Sequence, residues 1–203
     1  MFDTSVFENK KFSGLKAGLD LEKKKFYNST FVDCDFYGSV FDECYFSNCQ
    51  FIRCKFDCCE FIKSIFHDCI LNTVSLQSAY FYPSSRIEGC ALIEVDVKCA
   101  HFSKDVVQFS PLRRCYIISG KGEKQYMAAD GLLYIGPIGS RLDTLNALIL
   151  ANGDFLLSTG CQIQITPEQF KLRLKEKVQN QHCSDYYDAL SFIEKVAARR
   201  AGV

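Results

Sequence analysis

Residues 26–66 read FYNST FVDCD FYGSV FDECY FSNCQ FIRCK FDCCE FIKSI F, so phenylalanine returns at Phe26, Phe31, Phe36, Phe41, Phe46, Phe51, Phe56, Phe61 and Phe66. Leu21 keeps the same step before this run, and Leu71, Leu76 and Phe81 keep it afterwards. Five residues of α-helix advance about 500°, so successive rings would spiral around the axis. On a flat strand an odd step would send alternate rings to opposite faces. The chain must therefore turn a corner once per five residues.

Two positions before each large apolar residue stands a small one: Ser29, Cys34, Ser39, Cys44, Cys49, Cys54, Cys59, Ser64, Cys69, Val74 and Ala79. Both positions are expected to point inward. This pattern resembles the pentapeptide-repeat family, in which each five-residue unit forms one side of a square coil and four units complete a turn. The resemblance implies a mainly β protein: a right-handed quadrilateral β-helix over 21–118, ending its repeat at Ile117, followed by a small α+β domain. After Phe81 the register slips by one residue through Tyr82-Pro83-Ser84-Ser85-Arg86, which predicts a bulge or short loop. It resumes at Ile87, Leu92, Val97, Phe102, Val107, Leu112 and Ile117, with Asp105 a weak point among the small partners.

A twenty-residue coil stacks residues twenty apart at about 4.8 Å. Charges follow that spacing: Lys23, Glu43 and Lys63 alternate in sign, as do Asp33 with Arg53, Asp35 with Lys55, and Glu94 with Arg114, while Glu22 over Asp42 is a like-charge exception. Exposed pairs contribute little to stability, so the ladder speaks to register.

Eight of the twelve cysteines, Cys34, Cys44, Cys49, Cys54, Cys59, Cys69, Cys90 and Cys115, occupy the small inward position. A free thiol there is a compact buried hydrophobe. Cys44, Cys49, Cys54 and Cys59 fall on four successive sides, which raises a tetrahedral metal as an alternative. Rings filling the axis and the lack of a zinc-ribbon C-x-x-C pair count against it, so neither metal nor cofactor is expected. Stacked pairs such as Cys34 with Cys54 have disulfide-like Cα spacing, but parallel side chains and a reducing compartment argue against a bond.

Before the repeat, Phe2, Phe7 and Phe12 share the period in another register and Lys10 stands where a small residue is wanted, so 1–20 is expected to be a cap or imperfect coil. Residues 119–130, opening Ser119-Gly120-Lys121-Gly122, read as a linker, and 131–203 as the small α+β domain. Asn152-Gly153 predicts a hairpin. Thr166-Pro167-Glu168-Gln169 predicts a capped helix start, with Phe170, Leu174 and Val178 on its inner face. Ser184 opens a second helix with Tyr186, Leu190, Ile193 and Ala197 inward. The string Ile135-Gly136-Pro137-Ile138-Gly139-Ser140-Arg141, with Thr159-Gly160-Cys161 and His182, resembles a domain of uncharacterised bacterial and phage proteins. Ser140 and Arg141 are candidates for holding a phosphate or carboxylate, and Cys161 with His182 for nucleophile and base. The bland reading of the same residues is a turn, a surface ion pair and a core thiol.

With 24 basic and 24 acidic residues, bulk charge gives no pull toward nucleic acid or acidic lipid. The opening residues lack a basic start with an apolar run, and no stretch reaches a membrane-spanning length, so a cytoplasmic location is expected. The repeat spends its inward residues on packing and clusters no acids, bases or nucleophiles outward. The expectation is a non-enzymatic scaffold that binds a protein partner, and probes of nucleic acid and membrane should be negative. Within the family, gyrase-protecting quinolone-resistance proteins imitate duplex DNA with an acidic surface. Residues 26–117 carry eleven acids against eight bases, which is a small excess for DNA mimicry. A phage or mobile-element protein that inhibits a host topoisomerase or defence nuclease fits equally. The rival is a ligand-binding or enzymatic C-terminal domain carried by the β-helix as a targeting arm. The expected partner-binding residues are Val40, Tyr45, Ile62, Ile65, Tyr80 and Tyr82, which flank inward phenylalanines on two adjacent sides and should merge into one apolar, aromatic patch. Cover by the C-terminal domain and homodimerisation are the alternatives to an external partner.

Overall fold

The computed structural model describes residues 2–16, 18–103, 106–108, 110–138, 143–159, 162–176 and 183–200. On three sides the apolar residues of the five-residue series lie in short strands, which pair in parallel with strands about twenty residues apart. On side one Phe26 pairs with Phe46 and Phe46 with Phe66, on side two Phe31 with Phe51 and Phe51 with Leu71, and on side four Phe41 with Phe61 and Phe61 with Phe81. Side three is held by single bridges instead of strands, running Asp35, Lys55, Ser75, Asp96, Tyr116. A four-sided β-helix results. Phe31, Phe36, Phe41 and Phe46, one from each side of a coil, are each 1% exposed.

The corners explain the period. From Lys23 to Ser78 the second residue after each centre is left-handed, with φ between 49° and 57° at every non-glycine position. The small residue that follows then turns inward and finds its own partner. Cys54 Sγ donates to the Phe31 carbonyl at 3.4 Å, Cys59 Sγ to Phe36 at 2.8 Å and Ser64 Oγ to Phe41 at 2.9 Å. Each donor thus reaches the carbonyl of the ring one coil below. That is the physical reason serine and cysteine share the position: both are small and both can satisfy a buried carbonyl. Around the axis the rings meet edge to face, and along it they stack, with Phe46 and Phe66 centroids 4.7 Å apart.

The one-residue slip is absorbed at a corner. Ser85 N–H donates to the Tyr82 carbonyl across Pro83-Ser84, and Phe66 pairs with Ile87, so the coil there has twenty-one residues. Ser85 remains fully buried and donates to the Phe61 carbonyl at 2.8 Å. The N-terminal residues add strands to two sides: Val6–Glu8 and Lys11–Ser13 pair in register with Lys25–Tyr27 and Thr30–Val32. Lys10 is exposed, and Phe2 lies against Phe7, Phe12 and Phe26 at 5.5 to 6.0 Å, covering that end of the core.

The chain divides into two compact units, Met1–Lys124 and Gln125–Val203. The linker expected over 119–130 is corrected in part. A turn occupies Ser119 to Glu123, but Lys124–Ile138 is a single long strand. Its pattern is broken by a bulge at Asp130, whose φ is 54°, and Gly131 is required because a Cβ there would lie 2.7 Å from the Ile149 carbonyl oxygen. In the second unit this strand pairs antiparallel with Asp143–Leu150, which pairs with Phe155–Thr159, which pairs with Gln162–Ile165. The expected single hairpin is therefore the centre of a larger sheet. Gly153 has φ 89° in its turn, and Asn152 and Asp154 bond each other.

Helix Pro167–Glu176 starts with a reciprocal capping box: Gln169 N–H donates to Thr166 Oγ1 at 3.2 Å and Thr166 N–H to Gln169 Oε1 at 3.0 Å. Phe170 and Leu174 are its buried residues, while Val178 lies outside the described residues. Helix Cys183–Arg200 buries Ala189, Leu190, Ile193, Val196 and Ala197, with Tyr186 partly buried against the same core.

Candidate functional site

The register sorts every outward residue of the β-helix onto one side, and the four sides differ in chemistry. Side three is polar and internally satisfied. Asp57 accepts from Ser75 Oγ and from Gln77 N–H, Gln77 Nε2 donates to Asp96 at 2.8 Å, and Asp96 accepts from Lys98 N–H. Side two carries a column that sequence inspection passed over: Val32 pairs with Ile52, Ile52 with Asn72, and Asn72 with Ile93, with Ile70 and Ala91 alongside. Adding twenty to Val32 and Ile52, and twenty-one across the slip, would have exposed it.

Sides four and one hold the six expected partner-binding residues. Tyr45 stacks under Ile65 in register. Tyr82 N–H donates to the Phe61 carbonyl, which sets Tyr82 above Ile62. Ile62 and Ile65 flank one corner, and Val40 and Tyr80 stand on the opposite edge of side four with Glu60 in register between them. Tyr82 is 37% exposed, and the other five are half-buried. The six do not run together into one apolar surface. The corner between Ile62 and Ile65 is occupied by exposed Lys63, paired with Glu43 below at 3.1 Å, and Asp42 lies under Ile62.

Two features of side four were not anticipated. His101 stacks flat on Tyr80, centroids 4.2 Å apart and planes 2° from parallel, because the slip makes their separation twenty-one residues. Tyr80 and Tyr82 rings are 4.5 Å apart, and Tyr82 Oη lies 3.3 Å from Glu60 Oε2. The negative charge of Glu60 raises the Tyr82 phenol above its usual pKa. Tyr27, on side one, adds a ring 5.8 Å from Tyr45.

The charge ladder is realised in part. Arg53 holds Asp33 through two bonds of 2.7 and 2.8 Å, which draws the carboxyl down and the guanidinium up from their ordinary pKa values. Arg114 pairs with Glu94 at 3.2 Å. Lys23 turns instead to its neighbour Glu22 at 2.7 Å, and Asp35 accepts from Tyr37 N–H.

The inward thiols of Cys44, Cys49, Cys54 and Cys59 each donate to a backbone carbonyl. Burial pushes Cys44 up to about 11 and Cys59 up to about 12. Cys44 and Cys59 are thereby held as thiols within the packed core. Among the described residues no three His, Cys, Asp or Glu side chains are arranged to hold a metal ion, and no helix is long and apolar enough to cross a membrane. Ser140, Arg141, Cys161 and His182 all lie outside the described residues.

Residues 34–72 match the family model for pentapeptide repeats in eight copies. No curated protein matches the chain. Among solved structures, full-length QnrB1, a plasmid-mediated fluoroquinolone resistance protein, is 23% identical, with a TM-score of 0.29, over 54% of this chain and 59% of that one. The chain thus spans less than two thirds of QnrB1. A pentapeptide repeat protein, Rfr23, from the cyanobacterium Cyanothece 51142 is 7% identical over 53% of this chain and 89% of its own, with a TM-score of 0.19. HetL, a pentapeptide repeat protein involved in heterocyst differentiation regulation in the cyanobacterium Nostoc sp. strain PCC 7120, is 8% identical over 58% and 91%, with a TM-score of 0.17.

Proposed function

We propose that the chain is a non-catalytic scaffold that recognises a protein partner through side four of its β-helix and the adjoining edge of side one. The observation that carries this reading is the placement of Tyr45, Ile62, Ile65, Tyr80 and Tyr82 on the outside of a frame whose inward groups are all spent on packing. Tyrosine gives large contact area for little ordering cost, and a frame that does not rearrange keeps that cost low. The narrower reading is that binding inhibits or modulates a host DNA-handling enzyme, a topoisomerase or defence nuclease. It rests on the repeat pattern and the modest acidic excess.

The test is Tyr45→Glu with Tyr82→Glu in one chain, followed by a melting curve, light scattering and partner pull-down with mass spectrometry. The expected result is an unchanged melt, unchanged mass and loss of the partner. A shift in mass would assign the face to self-association. Unchanged mass and undiminished partner recovery would remove it as an interface.

A further inference from the structure

On side four carboxylates stand beside aromatic rings, of which Tyr82 is the most exposed. Asp20 pairs with Val40 and Val40 with Glu60, while Glu22 pairs with Asp42, so acids occupy both columns of this side in its lower coils. Of the nearby cations, Lys63 pairs with Glu43, Lys24 bonds the Thr4 carbonyl, and Lys23 takes up Glu22 of this side, which leaves Asp20, Asp42 and Glu60. Among the described residues none of Asp20, Asp42 and Glu60 makes an ion pair. One carboxylate oxygen of Asp42 is also buried without a hydrogen-bond partner. Directly above stand Tyr80, Tyr82 and His101, with Glu60 against the Tyr82 hydroxyl.

We infer that side four receives an extended, arginine-rich segment of the partner protein. This rests on the reading of side four as an interface and adds the chemistry of what it binds. Asp20 and Glu60 share a column two coils apart, about 10 Å, and Asp42 stands in the other column in the coil between them, so these charges lie at roughly the Debye length of about 8 Å at physiological salt and their attraction for a cationic chain adds. An extended peptide sets same-side residues roughly 6.8 Å apart, a spacing that long arginine side chains can match to carboxylates one or two coils apart. The rings select arginine over lysine: a guanidinium is planar, stacks on tyrosine and pairs with a carboxylate such as Glu60 at the same time. The same charges repel nucleic acid and acidic lipid.

The test uses the full chain and a fluorescein-labelled octa-arginine peptide, with octa-lysine and octa-glutamate as comparators, read by anisotropy at low salt. Octa-arginine should bind saturably and more tightly than octa-lysine, and octa-glutamate should not bind. Asp42→Asn with Glu60→Gln, or Tyr80→Ala with Tyr82→Ala, should weaken octa-arginine by about tenfold, whereas Glu8→Gln with Glu88→Gln on side one should change it by less than about twofold. If the aromatic double variant melts early, Glu60→Gln alone decides, with Tyr82→Phe expected to retain binding. Absence of saturation, equal weakening by the side-one variant, or equal affinity for octa-lysine overturns the inference. The scaffold reading is judged separately: partner loss in the Tyr45→Glu, Tyr82→Glu chain without octa-arginine binding leaves the interface standing and removes only its proposed occupant.

Discussion

The two units bury their cores by different bookkeeping. In the β-helix the inward donors repeat nearly one fixed separation. Donors reach carbonyls twenty-three residues back at Cys44, Cys49, Cys54, Cys59, Ser64 and Cys69, then twenty-four at Ser85 and Cys90 across the slip, and twenty-three again at Ser110 and Cys115. In the second unit the core gathers Ala128, Leu145, Ile149, Leu157, Phe170 and Ile193 from strands and helices with no common spacing. The first arrangement is a sum of near-identical neighbour terms; the second is a single cooperative cluster. One is written in the period of the chain and the other only in its folded geometry.

The comparison breaks most sharply at a ring. Phe56→Ala should cost about 3–5 kcal/mol in a denaturant titration, because the coils above and below cannot close over the space. Cys54→Ser should cost far less, since a hydroxyl can donate to the Phe31 carbonyl as Ser64 does to Phe41. Equal losses would show that the thiols are not simple small packing groups.

Alkaline pH should separate the units. Burial raises Cys44 and Cys115 to about 11 and Cys59 to about 12, above the ordinary thiol value of 9.0. The stabilisation from keeping these thiols protonated is complete below about pH 9 and is lost as pH rises through the folded values. In the second unit the described cysteine, Cys183, is only half-buried. Circular dichroism between pH 9 and 12 should therefore lose the β-helix signal before the helical signal; simultaneous loss would merge the two units into one cooperative fold.

A smaller effect should stay local to the second unit. Thr166→Ala removes one half of the capping box and should cost about 1 kcal/mol, seen as faster hydrogen exchange in Pro167–Glu176 with the repeat amides unchanged. The smallest is a gain. Thr73 holds a β-branched side chain at φ 55°, and Thr73→Asn should stabilise the β-helix by about 0.5 kcal/mol, raising its melt slightly. A lower melt would mean that the corner geometry is not set by the backbone alone.

Much of the first unit was legible because the ring period, the small partner and the charge spacing each point to one coil length. What escaped was whatever depended on adding the right number across the slip. Tyr80 and His101 are twenty-one apart, so their stacking is hidden from a twenty-residue ruler, and the Val32, Ile52, Ile93 column crosses the same irregularity. The stacking of Tyr45 under Ile65 was legible at the twenty-residue spacing, whereas the corner residues Glu43 and Lys63 that stand between the two groups of apolar residues were passed over. In the second unit the local signals with their own chemistry could be read, namely Asn152-Gly153 and the Thr166 cap. The strand Lys124–Ile138 could not, since a bulge at Asp130 and Gly131 breaks its alternation and its partners are supplied by residues far along the chain.

The corner at Pro83-Ser84 also shows how such a chain can change length. One added residue there is taken up in the turn, and every later side keeps its facing. Duplicating a whole pentapeptide between Glu60 and Tyr80 would do something else. It would rotate all that follows by a quarter turn, carrying Tyr80, Tyr82 and His101 off the side that holds Asp20, Asp42 and Glu60, while leaving every inward ring and small partner correctly packed. Gain of four such units would lengthen the rod and restore the alignment. A repeat of this kind can therefore stay fully folded through a duplication and yet shuffle its outer surface like the numbers of a combination lock, so that stability and recognition evolve in different step sizes.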